Sequence, residues 1–499
     1  MNNTKPVNKV VVLGGGSAGL LTALTLKRKL PQLEVIVLHS PGIGIIGVGE
    51  GTAIWFVKHL FDYLKIDPNS FYKQAEPTWK LGIGFKWGKR ERFYFSFSDE
   101  YAQQWKNLSR PVGFYCDADQ PLGNVGPFSA LMDADKAFTR RPDGRPQMHR
   151  AFSFHLENKK LAGWLDSACR ECGVQFMEAT VSEVDVDETG VRSLHTEDGR
   201  KIRADLFVDA SGFRSELLGK ALNVPFKSYD NALFCDRAVV GGWARTDEPV
   251  HPYTTSETMQ AGWSWQIEHE HTINRGYVYS SNFISDEQAE HEFRAANPKL
   301  TGPTRIVPFR SGRYERLWEK NVVGMGNAAG FLEPLEATAL QVICIGSHTL
   351  ADILIDGGQR ITPSLQKTFN EFNTKNWDDI RDFLALHYKF NDRIDNDFWR
   401  HCQEHSPLGE AQHLVDLYVE NGPVLASMLS SVPPSSSFGL EGYLSLLVGM
   451  NVPHAGKKPA KPMDKQVWTA GQERFRQNAS QGMTVPEALD DIRKHGVPT

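Results

Sequence analysis

The spacing of apolar and polar residues changes period several times along the chain. Lys9–Leu13 (KVVVL) is a short apolar run closed by glycines, Ser17–Leu30 places apolar residues at helical intervals, and Glu34–Leu38 (EVIVL) is a second apolar run. Strand, glycine turn, helix, strand is the order of a dinucleotide-binding βαβ unit. Two later apolar runs end in tight turns of small residues, Asp205–Ser215 (DLFVDASGFRS) and Asn321–Gly330 (NVVGMGNAAG), the second followed by an apolar helix. Residues from about 225 to 305 alternate with period two, as in QAGWSWQIEHE and RGYVYSSNFIS, which predicts antiparallel strands. From about residue 365 the helical period returns in TFNEFNTKNWDDIRDFLALHYKF. The stretch from about 80 to 150 is aromatic and rich in glycine and proline; Ser431–Ser437 reads as a loop and Val452–Lys465 as a surface linker. There is no internal repeat.

Three strand-to-turn segments spread over 320 residues suit a flavoprotein with a large FAD module, and no second βαβ unit is present to take NAD(P)H. The fold class expected is α/β: a Rossmann-like, flavin monooxygenase-type FAD module with inserted antiparallel strands and a mostly helical C-terminal region. Residues 1–380 form the module, interrupted by substrate-side insertions at about 80–150 and 225–305, and residues 381–499 form a helical substrate-side region and tail.

Composition narrows the function classes. The 499 residues allow two to four domains or one large composite one, and an apolar share of 40% supports a core without staples. A net charge of −5 is the wrong sign for a nucleic-acid binder. No apolar run approaches the ~18 residues that span a bilayer, and the N-terminus lacks a signal pattern. A cytoplasmic protein without membrane attachment is expected. Six scattered cysteines cannot build a disulfide framework, and the one CxxC, Cys169 and Cys172, has no second pair to make a zinc site. No HExxH occurs, and the GxSxG match at Gly15–Gly19 is part of the glycine turn, so neither a metal centre nor serine-hydrolase chemistry is expected.

Several residues carry candidate chemistry. Gly14, Gly16 and Gly19 form GxGxxG between the right strand and the right helix, so the backbone can approach a pyrophosphate and the helix N-terminus supplies donors. Where an acid usually binds the ribose, about 20 residues past the glycines, stands His39. Lys80, in PTWKLGIGFKWG, reads either as a buried, reactive amine or as a snorkelling surface lysine. Glu333 and Glu336, in GFLEPLEATAL, read as a base in an apolar setting or as an exposed capping turn; Pro334 interrupts regular helix, leaving N–H groups of Thr338 and Ala339 for an anion. Trp263 and Trp265 share a strand face with Ile267, as core or as a wall between two cavities. Cys344 reads as core, and His155 is the one histidine in a strongly patterned segment.

Nine ordered motifs then make the chain resemble a flavin-dependent halogenase of the tryptophan-halogenase family: GGGSAG (14–19), IIGVGEGTA (45–53), TWKLGIGFKWG (78–88), FHLENKKLAGWL (154–165), DASGFRS (209–215), WSWQI (263–267), GYVYSS (276–281), GNAAGFLEPLEATAL (326–340) and IRDFLALHYKFNDRIDNDFW (380–399). The resemblance runs from Val10 to about Trp399, with weaker echoes to Pro453. It implies an enzyme that takes reduced FAD, dioxygen and halide, makes hypohalous acid from a flavin hydroperoxide, and passes it through a tunnel to a small aromatic. It places FAD against Gly14, Gly16, Ser17, Ala18, Gly19, His39, Gly49, Glu50, Asp209, Gly326 and Asn327, with residues 45–53 as a strap between flavin and substrate sides. It gives Lys80 and Glu336 the catalytic roles, Thr338 and Ala339 the halide, and Trp263 and Trp265 the shielding of flavin from substrate. A separate NAD(P)H flavin reductase is the implied partner, and homo-oligomerisation stays open.

Four departures from the family pattern stand out: Glu268 where proline often follows WxWxI, Ala337 and Ala339 where the last motif usually has serine and glycine, and His39 at the ribose position. FYFSF (93–97) falls where the aromatic wall of the substrate site is expected, with Phe95 where tryptophan-specific members often have histidine. The substrate expected is a free small aromatic, an indole or another electron-rich ring. Two rival readings are an aromatic hydroxylase on the same scaffold and a catalytically silent flavin-binding protein.

Overall fold

The computed structural model describes residues 5–40, 42, 49–98, 104–110, 112–116, 125–149, 151–433, 436–456 and 459–498. The chain divides into two compact units, one of residues 1–76, 156–229 and 309–378, the other of 77–155, 230–308 and 379–499.

The first unit is built on a six-stranded sheet. Its strands, in spatial order, are Gln175–Glu178, β2 (Glu34–His39), β1 (Lys9–Leu13), Leu206–Asp209, Val322–Gly324 and Trp318–Glu319. The first five run parallel and only the edge strand Trp318–Glu319 is antiparallel. β1 is central and buried along Val10–Leu13, which explains why KVVVL is a continuous apolar run and not an alternating one. Helix α1 (Ser17–Lys29) packs against the helices Asn158–Glu171 and Ala339–Asp356. A small antiparallel sheet, Val181–Asp187, Gly190–Thr196 and Lys201–Ile202, closes a core of Val11, Ile36, Leu194, Phe207 and Leu217. Because the sheet is parallel, all three glycine turns leave its strands at the same, C-terminal edge, where nucleotide sites of such folds lie.

The second unit is organised by a seven-stranded sheet in the order Arg305–Pro308, Arg237–Ala244, Thr272–Tyr279, Gly262–Glu268, Thr254–Met259, Gly82–Lys86 and Phe93–Ser96. All pairings are antiparallel except that of Thr254–Met259 with Gly82–Lys86. From residue 379 onward the described chain is mostly helical.

Two local expectations are corrected. Residues 462–465, read as part of a linker, open the helix Pro462–Ser480, with Pro462 in its first turn. Ala339–Asp356 is an 18-residue helix long and apolar enough to cross a membrane by length and composition, contrary to the reading that no run approached that size. Two-thirds of it is buried in the protein, as in a core helix.

Candidate active site

In the first unit the three turns converge. The amide of Gly14 donates to Leu38 O (2.9 Å), and that of Ala210 to Leu13 O (2.9 Å). Gly14 has φ +127°, and a Cβ there would stand 2.2 Å from Ala210 O. A Cβ on Gly19 would stand 1.9 Å from Gly14 O, so this glycine lets α1 approach β1. Gly16 differs: a Cβ would meet nothing within 4 Å. It is the N-cap of α1 and makes no side-chain cap, and the first amide bonded inside the helix is Leu20's, to Gly16 O at 3.0 Å. Ser17, Ala18 and Gly19 therefore present amides at a helix N-terminus without an acidic residue in its first turn, beside open space that a side chain would fill. This is the cradle that a dinucleotide pyrophosphate needs, and FAD fits it.

Gly326 (φ +57°) comes so near that its Cβ would lie 2.7 Å from Ala18 Cβ, and the amide of Met325 donates to Asp209 O at 2.8 Å. His39 ends β2, where a Cβ on Gly15 would press on it at 2.8 Å. Asp209 is engaged by its own turn and the helix that follows. Its carboxylate is buried and accepts from the amides of Leu217 (2.7 Å), Leu218 (2.8 Å) and Ser211 (3.1 Å) and from Ser211 Oγ (2.6 Å). It holds the turn and the helix that follows, and burial pushes its carboxyl up against the pull of those bonds. Glu50 accepts a long bond from Asn158 Nδ2 (3.4 Å), and burial raises its carboxyl to about 7. Gly49 is described; residues 45–48, the first four of the anticipated strap, lie outside the described residues.

After the third turn the chain builds a helix start by local chemistry. Pro334–Glu336 forms a single 3₁₀ turn, Ala337 takes a left-handed conformation (φ +57°), and Thr338 caps the long helix Ala339–Asp356. The first amide bonded within that helix is Val342's, to Thr338 O at 3.0 Å, so the amides before it point out of the positive end. A cavity of ≈ 10 Å³ opens there, lined by Gly326, Asn327, Phe331, Thr338, Ala339 and Trp377 among others. By this measure it approaches the room needed for one water-sized particle. Glu336 is 2% exposed and Glu333 is fully buried, so neither belongs to an exposed turn. Trp377 had no signal in the sequence.

In the second unit Lys80 is 0% exposed, which excludes the surface-lysine reading. The strand Thr78–Lys80 pairs antiparallel with the segment that carries His155, Thr78 opposite His155 and Lys80 opposite Ser153. Lys80 Nζ stands over the Phe97 ring, 5.3 Å from its centroid, which brings the FYFSF stretch to the lysine. His155 Nε2 bonds Thr254 Oγ1 at 2.8 Å, and burial, then Lys80 and His269, hold the imidazole well below its usual range. It is neutral. Trp263 and Trp265 are buried on the strand Gly262–Glu268 with ring centroids 6.0 Å apart. A Cβ on Gly276 of the neighbouring strand would meet the Trp265 ring at 2.0 Å. Sequence reasoning also missed the ion pair of Arg245 and Glu268 in this unit. Among the described residues no group of three or more His, Cys, Asp or Glu could hold a metal ion.

A model of the tryptophan halogenase family matches residues 9–465. Tryptophan 6-halogenase ThaL of Streptomyces albogriseolus is 30% identical over 519 aligned positions, covering 97% of each chain. Tryptophan 7-halogenase KtzQ of Kutzneria sp. is 32% identical, covering 84% of this chain and 83% of its own. Among solved structures, MibH, described as a lanthipeptide tryptophan 5-halogenase, superposes with a TM-score of 0.90 at 36% identity, covering 99% of this chain and 95% of that one. BrvH, a flavin-dependent halogenase from Brevundimonas sp., gives 0.85 at 27%, covering 97% and 99%.

Proposed function

The chain belongs to the flavin-dependent tryptophan halogenase family, and from that premise we propose that it halogenates a small electron-rich aromatic, with an indole ring as the first choice. Relatives are named for tryptophan, and MibH for tryptophan in a lanthipeptide. The observation that carries the reading is the helix start at Thr338 and Ala339, which opens on the same small cavity as Gly326 and Asn327 and directly follows buried Glu336. An anion site beside a nucleotide turn is what a halide needs and what a simple hydroxylase does not.

Bound reduced FAD supplies, with dioxygen and halide, the electrophilic halogen. Gly14, Gly16 and the amides of Ser17, Ala18 and Gly19 hold its pyrophosphate. The amides at the Ala339 end of the long helix hold the halide. Lys80 Nζ hydrogen-bonds or captures the electrophilic halogen, and its buried setting strengthens that contact by excluding water. The Glu336 carboxylate orients the same species and accepts the ring proton. Trp263 and Trp265 keep the organic substrate from the flavin. Ala339 adds a methyl at the halide site and so tunes which halide fits.

With one βαβ unit in the sequence, electrons come from a separate NAD(P)H flavin reductase. The test supplies free tryptophan, indole and a tryptophan-containing peptide with NADH, FAD, dioxygen and bromide, with and without a reductase. Brominated product is expected only with the reductase and from at least one indole substrate. Turnover of the protein alone with NADH would overturn the two-component reading, and no brominated product from any of the three would overturn the indole assignment.

A further inference from the structure

The small cavity in the first unit has one wall that the roles above leave without a part, Trp377. Among the described residues, those lining this cavity include no ionisable side chain. What the lining offers a small guest is N–H donors and the positive end of the helix Ala339–Asp356. That suits a guest that only accepts hydrogen bonds.

Trp377 lies on the helix Pro363–Phe390 and is 5% exposed. An indole N–H is a donor only. Elsewhere the chain satisfies such donors: the indoles of Trp87, Trp105, Trp318 and Trp399 each give their proton to a backbone carbonyl, at 2.7–3.1 Å. No described residue accepts from Trp377 Nε1. The indole nitrogens of Trp265 and Trp468 also lack an acceptor, but they are closed off. Trp377 Nε1 is not closed off, so it opens on space, and the space that Trp377 lines is this cavity. A buried donor in that state calls for an acceptor that is not a protein atom.

The placement of Trp377 is fixed by its neighbour. The Asp378 carboxylate accepts from Arg313 Nε (3.1 Å) and Nη2 (2.8 Å), from the Tyr229 hydroxyl (2.6 Å) and from Lys227 Nζ (3.1 Å). Arg313 is the ladder partner of Gly330, which lines the cavity beside Phe331. The backbone that carries the indole is therefore tied to the strand that carries the opposite wall. A donor held in this way loses little freedom when a guest enters.

We propose that Trp377 is a halide-binding residue: its Nε1–H donates to the anion held by the amides at the Ala339 end of the long helix. The proposal rests on the halide reading of that helix start. It adds a side-chain donor from a second helix to the backbone donors of the first, with no charged side chain on the cavity wall.

The experiment measures halide affinity in the full-length, FAD-loaded, oxidised protein without reductase, from the ³⁵Cl NMR linewidth with bromide as competitor. Trp377→Phe keeps an aromatic ring and removes the donor. Its halide Kd should rise about 10–150-fold, the effect of losing one hydrogen bond to a charged group. In turnover, KM for bromide should rise with kcat at saturating bromide unchanged. A Trp377 that only packs would change apo melting or FAD affinity and leave halide Kd where it was. An unchanged halide Kd in folded Trp377→Phe overturns the proposal. Should that variant fail to fold, the wild type carries the test. In crystals grown with bromide the anomalous peak should lie within hydrogen-bonding reach of Trp377 Nε1, and a peak out of that reach overturns the proposal. Ala339→Val is the separate control, since it crowds the helix start itself. An unchanged halide Kd in Ala339→Val would overturn the helix-start reading, whereas a weakened Ala339→Val beside an unchanged Trp377→Phe would overturn only the role of Trp377.

Discussion

Replacing Gly16 with alanine should separate folding from cofactor binding. Gly16 has φ −83° and ψ −179°, which any L-residue adopts, and a Cβ there meets no protein atom within 4 Å. The apo fold loses an N-cap glycine, a cost of about 0.5–1 kcal/mol, and regains about 0.4–1 kcal/mol from a less flexible unfolded chain. Its stability should stay within about 1 kcal/mol of the wild type. The methyl instead occupies the space where a pyrophosphate would lie against the α1 amides. Loss of one charge-assisted hydrogen bond there costs about 1.5–3 kcal/mol, or about 10–150-fold in Kd for FAD. Gly19→Ala is the contrast, because its Cβ would stand 1.9 Å from Gly14 O, a backbone atom that cannot rotate away. Overpacking of that kind costs about 1–3 kcal/mol in the apo protein itself. Flavin fluorescence titration gives Kd, and circular dichroism melting of apo protein gives stability. A Gly16→Ala protein that binds FAD like the wild type, or that unfolds as Gly19→Ala does, would refute the reasoning.

Three further outcomes follow from the site. Lys80→Ala should abolish product formation while FAD binding and hypohalous acid release, read with a thiol or dye trap, remain; near-wild-type product formation would return Lys80 to a packing role. Glu336→Gln should lose about 10²–10⁴-fold in product per bound flavin, the range for an oriented acid–base group. Glu333→Gln should act through stability or flavin affinity, and the reverse pattern would move the catalytic carboxylate to Glu333. Glu50 is held at about 7 by burial, against an ordinary 4.5. Its folded value is raised, so the stability it leaves intact at low pH falls as the carboxyl ionises up to pH 7. Apo Glu50→Gln should therefore gain melting temperature relative to wild type at pH 8 compared with pH 5, and a pH-independent difference would contradict this.

How much could be read from the sequence depended on how local each cause was. The βαβ unit was legible because period, glycine spacing and helix start all sit within 31 residues, Lys9 to His39. The helix start after the third turn was legible for the same reason, since Pro334 opens one short turn and Ala339 begins the long helix. The burial of Lys80 was not. It comes from the ladder with residues 153–155 and from Phe97, none of which the lysine's own neighbours announce. Arg245, just past the strand Arg237–Ala244, meets Glu268 on a strand that is not the neighbour of that one in the sheet, so their pairing has no sequence spacing to detect. Asp209 was legible as part of a turn but not as the acceptor for amides eight and nine residues on. The helix at Pro462 was missed although proline in a first helical turn is a start signal, because lysines and prolines around it imitate a linker.

The central claim is that this protein transfers halogen and not oxygen to an aromatic ring. Mass spectrometry of products made with a flavin reductase, NADH, FAD and ¹⁸O₂, with an indole substrate and with or without bromide, tests it directly. The expected product carries the paired bromine isotope pattern, forms only when protein and bromide are both present, and has no ¹⁸O on the ring. A ring that gains ¹⁸O at the same rate with or without bromide would contradict it.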